Sequence, residues 1–164
     1  MPRFLCLLVL VAALFAGCSP PAAKPANTDE ERLQRVFTDF QKAFEVKKAD
    51  SMWTLLDATT QAAAERAAEA QRTAYAKESP GDQAAREKKL GLPGVEIALL
   101  TGTTYLNAKP FRDKYHDVPE YKIAKFTVNG DKAALDLLAE DGDKDRFDLV
   151  RAGDTWKLVL AVPE

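Results

Sequence analysis

The chain has 164 residues, with 23 basic and 25 acidic side chains and one histidine, a formal charge of −2. No basic stripe or polybasic run stands out, which argues against a nucleic-acid partner and against a basic segment that reads anionic lipid. Two cysteines and a single histidine do not complete a common zinc set.

Behind the charge of Arg3, residues Phe4 to Ala16 are almost wholly apolar. A bilayer span needs roughly 20 such residues. This run is shorter and fits the apolar region of a secretory signal, with small residues Ala16-Gly17 at its end. Cys18 comes next.

Leu14-Phe15-Ala16-Gly17-Cys18 resembles the lipobox of bacterial lipoproteins. The resemblance implies a diacylglyceryl group on the Cys18 thiol, cleavage after Gly17, and acylation of the new amino terminus by a chain such as palmitate. Phe15 departs from the leucine that is commonest three residues before the cysteine. One acyl chain holds a protein only marginally at a bilayer, whereas two or three make a stable anchor. Ser19 replaces the aspartate that favours inner-membrane retention. In a Gram-negative source this implies the outer membrane, facing the periplasm. The competing reading is an ordinary secretory signal that leaves a lone thiol on a flexible arm. Arg3 and Cys6 leave with the leader, so the mature chain carries 22 basic and 25 acidic residues.

Residues 1–17 therefore read as a signal peptide and residues 18–28 as a lipidated cysteine with a Pro-rich tether. Residues 29–164 read as one domain. The tether, Ser19 to Thr28, has three prolines and no large apolar side chain, so it cannot build a core. In a polyproline-like state it holds the domain roughly 30 Å from the lipid.

Thr28-Asp29-Glu30-Glu31 has the form of a capping box. Leu33, Val36, Phe37, Phe40 and Phe44 follow at helical spacing and require a sheet or groove to cover them. Lys47-Lys48 closes this helix. Asp50 is expected to cap a short helix containing Met52, Trp53, Leu55 and Leu56. Asp57 opens an alanine-rich helix running to about Glu78. Ser79-Pro80-Gly81 breaks the chain. Asp82 to Leu90 is helical, with Gly91 as a left-handed stop. Val95, Ala98 and Leu99 suggest a helix over Gly94 to Leu100 that stops at Gly102. A second is expected over Thr104 to Lys114, weakened by Pro110.

From Val118 the period changes to two. Four strands with tight turns at Asn129-Gly130, Asp141-Gly142 and Gly153-Asp154 predict an antiparallel meander. At Asn129-Gly130 both positions are expected at positive φ. Phe147/Leu149 and Trp156/Leu158/Leu160/Val162 form inward rows, with Ala124/Phe126/Val128 and Ala133/Leu135/Leu137 as further ones. Helices first and a meander last give an α+β domain in which the sheet covers the phenylalanine stripe.

The Phe-rich helix, "KKADSMWTLLD" and the closing "RFDLVRAGDTWKLVL" together resemble the nuclear transport factor 2-like, or cystatin-like, superfamily. That resemblance implies a curved sheet wrapped around a long helix as a cone. The segment between Asp57 and Asp82 departs from it, because no early strand is legible there. Relatives of this kind include ketosteroid isomerases and polyketide cyclases as well as non-catalytic modules, so the fold does not decide function.

The candidate chemistry lies in "FRDKYHDVPEY". His116 is the only histidine, the residue type suited to acid–base work near neutrality, and Asp113 or Asp117 is the expected partner of an acid–base pair, with Tyr115 beside them. The plainer alternative is a polar corner before the first strand, where Val118-Pro119 forces extension. "DGDKD", Asp141 to Asp145, starts like a calcium loop. Arg146 and Ala152 then stand where that loop needs glycine and glutamate, so a hairpin turn is expected. No cofactor motif is present. The reading is a lipid-anchored envelope protein whose domain binds a protein or small apolar ligand without chemistry. A cone-fold enzyme and a purely structural or assembly lipoprotein are the alternatives.

Overall fold

The computed structural model describes residues 28–163, so the leader, Cys18 and the tether up to residue 27 lie outside the described residues. Helix α1 (Asp29–Glu45) begins with the expected capping box: the Thr28 hydroxyl accepts from the Glu31 amide, and the Glu31 carboxylate accepts from the Thr28 amide. Its stripe of Leu33, Val36, Phe37, Phe40 and Phe44 is buried.

Lys47 takes a positive φ of 56° and turns the chain into α2 (Ala49–Leu55). The cap position is Lys48, without a side-chain hydrogen bond. Asp50 lies inside the first turn rather than capping it, where its charge still suits the helix dipole. Asp57 caps α3 (Ala58–Tyr75), accepting from the Thr59 and Thr60 amides at 3.0 and 2.9 Å. Helix α3 buries mostly small side chains, Ala64, Ala67 and Ala68 among them. Ser79 caps α4 (Pro80–Leu90), and Gly91 ends it at φ +66°.

The next stretch differs from its expected form. The chain makes three short helices: α5 (Gly94–Ala98), α6 (Gly102–Tyr105) and α7 (Lys109–Lys114). Gly102 opens α6 instead of stopping α5. A Cβ there would lie 2.7 Å from the Glu65 backbone nitrogen, so only glycine lets α6 approach α3 this closely. Pro110 sits in the first turn of α7, where its missing donor costs nothing. The break before it splits the single helix expected over Thr104 to Lys114. Helix α5 also buries Ile97, while Val95, Ala98 and Leu99 face solvent.

A short 3-10 helix over Val118–Glu120 leads into the sheet. Strands β1 (Lys122–Asn129), β2 (Lys132–Leu138), β3 (Lys144–Ala152) and β4 (Thr155–Val159) pair antiparallel in the order β1-β2-β3-β4. Asn129 pairs with Lys132, so the first turn is Gly130-Asp131, and Gly130 alone has positive φ. A register shift between Ile123 and Lys125 marks a bulge at Ala124. Ala124 is consequently exposed, and Ile123 joins Phe126 in packing against the core. The other edge, β4, is covered: Leu56 bridges Leu158, and the Asp57 amide donates to the Leu158 carbonyl at 2.9 Å.

The architecture is therefore α+β, with helices first and a four-stranded meander last. Phe147 from β3 meets Phe37 and Phe40 from α1 with ring centroids 5.8 and 6.3 Å apart. Trp156, Leu158, Leu135 and Leu149 are buried on the same side, so the sheet covers the phenylalanine stripe.

Candidate functional site

The four residues of the corner before β1 do not converge. Tyr115 points inward. Its ring packs on Phe111 and Phe147, at 4.9 and 5.9 Å between centroids, and its hydroxyl donates to the Ala161 carbonyl at 2.8 Å. Burial pushes this phenol up to about 12, with the Asp145 charge adding to the rise and the Ala161 contact opposing it. Tyr115 is thus a neutral pin between α7 and the chain end.

His116 and its neighbours face outward. Its Nδ1 lies 2.7 Å from the Asp113 carbonyl, and its Nε2 lies 3.0 Å from an Asp117 carboxylate oxygen. The side chain is 70% exposed, so water competes for both contacts. Asp113 is engaged by Lys109, one helical turn earlier. The Asp113–His116 contact runs through the backbone, not the carboxylate. A His–carboxylate pair is therefore present, but on an exposed corner and without a pocket wall around it.

Near this corner the β2–β3 turn adds Asp141 and Asp143, and the start of β3 adds Asp145. Partial burial raises the Tyr121 phenol, and the charges of Asp145, Asp117, Asp143 and Asp141 raise it further. The turn itself is closed by its own backbone: the Ala139 amide donates to the Asp143 carbonyl at 2.8 Å, and the Asp143 amide to the Asp141 carboxylate at 3.1 Å. Among the described residues, no group of three or more His, Cys, Asp or Glu side chains is arranged to hold a metal ion.

A more enclosed surface lies between α1 and the edge strand β1. This cleft, of about 330 Å³, is lined by Gln34, Phe37, Thr38, Tyr121, Lys122, Ile123 and Phe126, with Gln41 at its end. The Gln41 amide donates to the Val118 and Tyr121 carbonyls at 2.9 and 2.8 Å, which ties α1 to the entry of β1. The cleft exists because the bulge at Ala124 keeps Ile123 and Phe126 on one face while leaving both partly exposed. Its lining sets the apolar Phe37, Ile123 and Phe126 among the polar Gln34, Thr38, Gln41, Tyr121 and Lys122. That combination suits a ligand or side chain with an apolar body and polar edges. Strict alternation in the sequence hides this cleft, since it places Ala124, not Ile123, beside Phe126.

The space between α1 and the sheet is occupied by Phe37, Phe40, Phe44, Phe147 and Trp156. A wider recess along α1 and α2, about 580 Å³, is open and lined by Ala43, Val46 and Leu55 together with the charged Asp39, Lys42 and Asp50. Neither family models, nor curated proteins, nor solved structures gave a significant match to the chain.

Proposed function

We propose that the chain is a lipid-anchored protein of the bacterial cell envelope, held by acyl chains on Cys18. Its domain binds an envelope protein or a small apolar ligand without chemistry. The observation that carries the reading is the stretch Leu14-Phe15-Ala16-Gly17-Cys18, placed after an apolar run and before a Pro-rich sequence with no large apolar side chain. The Thr28 cap supports it, because the first described helix begins where the Pro-rich sequence ends.

Two features favour binding over catalysis. The interior is filled by aromatic side chains, and the one His–carboxylate pair sits on an exposed corner. The cleft between α1 and β1 offers Ile123 and Phe126 to a ligand. A nuclear transport factor 2-like relationship is part of the same proposal. It is supported by a long Phe-bearing helix laid against a meander.

The test is Cys18→Ala. The variant is expected to lose incorporation of labelled fatty acid, to accumulate with its leader attached, and to leave the detergent-phase fraction. Normal maturation of Cys18→Ala would refute the anchor.

A further inference from the structure

The two edges of the sheet are finished differently. Edge β4 is covered by Leu56 and by the Asp57 amide. Strand β1 pairs with β2 on one side, and among the described residues no strand or bridge pairs with its other side. An open edge carries a row of unpaired N–H and C=O groups, which call for an extended backbone more narrowly than an apolar surface can. In a two-residue hairpin the closing pair, here Asn129 with Lys132, is hydrogen-bonded, and bonded pairs alternate along an antiparallel ladder. The backbone groups of Phe126 and Val128 therefore point away from β2. The side chains of the same two residues lie on the helix side of the sheet and stay partly uncovered, Val128 at 41% exposure.

The strand is self-complementary about Thr127. The bulge at Ala124 leaves Lys125–Asn129 as its regular run, with Thr127 at the centre. A two-fold axis through Thr127, normal to the sheet, sets Phe126 against Val128 of a second copy, twice. Each such pair can exchange both N–H···O bonds, and an aromatic residue opposite a β-branched one is a favourable cross-strand contact. Thr127 meets Thr127 of the second copy, and Lys125 meets Asn129 of the second copy, so no lysine of the run faces a lysine. Beyond the bulge, Lys122 comes level with Asp131 of the second copy, whose side chain is 86% exposed. Lys122 and Asp131 already hold exposed pairs with Glu140 and Arg151, so this contact orients the copies more than it holds them. Other registers fit less well. An axis at Phe126 sets the bulged Ala124 against Val128, and one at Val128 sets Phe126 against Gly130 in the turn. The devices that commonly blunt an edge, a bulge and lysines, here lie before the run or on the outer face.

We infer that β1 is the seam of a symmetric pair, in which two copies join their sheets edge to edge and Val128 of one closes the cleft beside Phe126 of the other. This names the protein at that cleft as a second copy, and it rests on the anchored reading. One short strand covers less than the roughly 800 Å² per partner of a stable interface, so the pair forms where Cys18 confines the chains to one membrane.

The experiment uses the mature lipidated chain in phosphatidylethanolamine–phosphatidylglycerol vesicles. Cys6 is then gone and Cys18 alkylated, so Thr127→Cys supplies the one free thiol. Thr127 is exposed, and at an antiparallel pair without hydrogen bonds the Cα atoms lie about 4.5 Å apart, within the range that a disulfide spans. Asn129→Cys and Asp148→Cys, exposed on the same face of the sheet, serve as references. Under mild oxidation the covalent dimer is expected to form severalfold faster at position 127 than at 129 or 148. Adding Val128→Lys should bring that rate down to the references, with an unchanged circular dichroism spectrum. In the unsubstituted chain, amide hydrogen exchange across β1 should slow as the protein-to-lipid ratio is raised. Equal dimer rates at the three positions, with exchange independent of density and Cys18 lipidated, would overturn this inference and leave the anchor standing. Fastest dimerisation at position 148 would assign the contact to the outer face of the sheet and also overturn it. A bare Cys18 in the same preparation would remove the anchor and the inference together.

Discussion

Arg151 on β3 donates through Nη2 to the Asp29 carboxylate in the first turn of α1, at 2.8 Å. The guanidinium also lies 4.3 Å from the Trp156 ring centroid, and the Trp156 indole N–H donates to the other Asp29 oxygen at 3.4 Å. Three elements meet where the tether enters the domain. The Arg151 hydrogen bond holds the Asp29 carboxyl below its ordinary range; partial desolvation opposes this, and Trp156 and the neighbouring arginine charges assist it. A depressed carboxylate contributes stability above its unfolded value of 3.8 and loses that contribution as pH falls through the folded value. Asp29→Asn should therefore be less stable than the parent near neutrality. Its deficit should shrink in urea melts below about pH 4. A deficit that does not depend on pH would contradict the assignment.

Tyr115 predicts the opposite limb. Its phenol is pushed up to about 12 from an ordinary 10, so its contribution is intact below pH 10 and is lost as pH rises toward 12. The loss should be on the order of 2 kcal/mol. Tyr115→Phe keeps the ring packing, leaves the Ala161 carbonyl without this donor, and should cost about 1 kcal/mol at neutral pH. It should also flatten the alkaline slope of a denaturation series, which a merely spacious site would not do.

Trp156 is fully buried beneath α1. Trp156→Ala removes its ring from the core and its N–H from Asp29, and should cost about 3–5 kcal/mol. Thermal or urea unfolding followed by far-ultraviolet circular dichroism gives the value. A loss below about 1 kcal/mol would mean that the last strand does not hold the core as described.

Gly102 marks the close approach of α6 to α3. Gly102→Ala would set a methyl against the Glu65 backbone, which cannot swing aside as a side-chain tip can. The expected cost is about 1–3 kcal/mol, although alanine is the better helix former. Stabilisation by this substitution would show that α6 stands off from α3.

Elements with a clean period are legible from the residues alone. The Phe stripe of α1, the Asp57 cap, the Gly91 stop and the order of four strands follow from local rules that act without tertiary help, whereas Ser79-Pro80-Gly81, read as a break, caps and opens α4. The stretch from Pro93 to Lys114 does not. There the decisive fact is the distance between Gly102 and Glu65, set by packing between segments far apart in sequence. The same holds for Val95 and Leu99, whose spacing announces a helix but not which side is covered. At the candidate corner, the sequence brings Asp113, Tyr115, His116 and Asp117 together, yet the burial of Phe111 and Val118 turns Tyr115 inward and leaves the other three in water. The cleft beside Phe126 depends on one bulged residue, and a bulge has no signature in strict alternation.

The anchor is tested most directly by mass spectrometry of the amino-terminal peptide from native membranes. The account predicts a peptide that begins at residue 18, with its mass raised by a diacylglyceryl group and an amide-linked acyl chain. A peptide with Cys18 unmodified, or one that still carries residues 1–17, would contradict it.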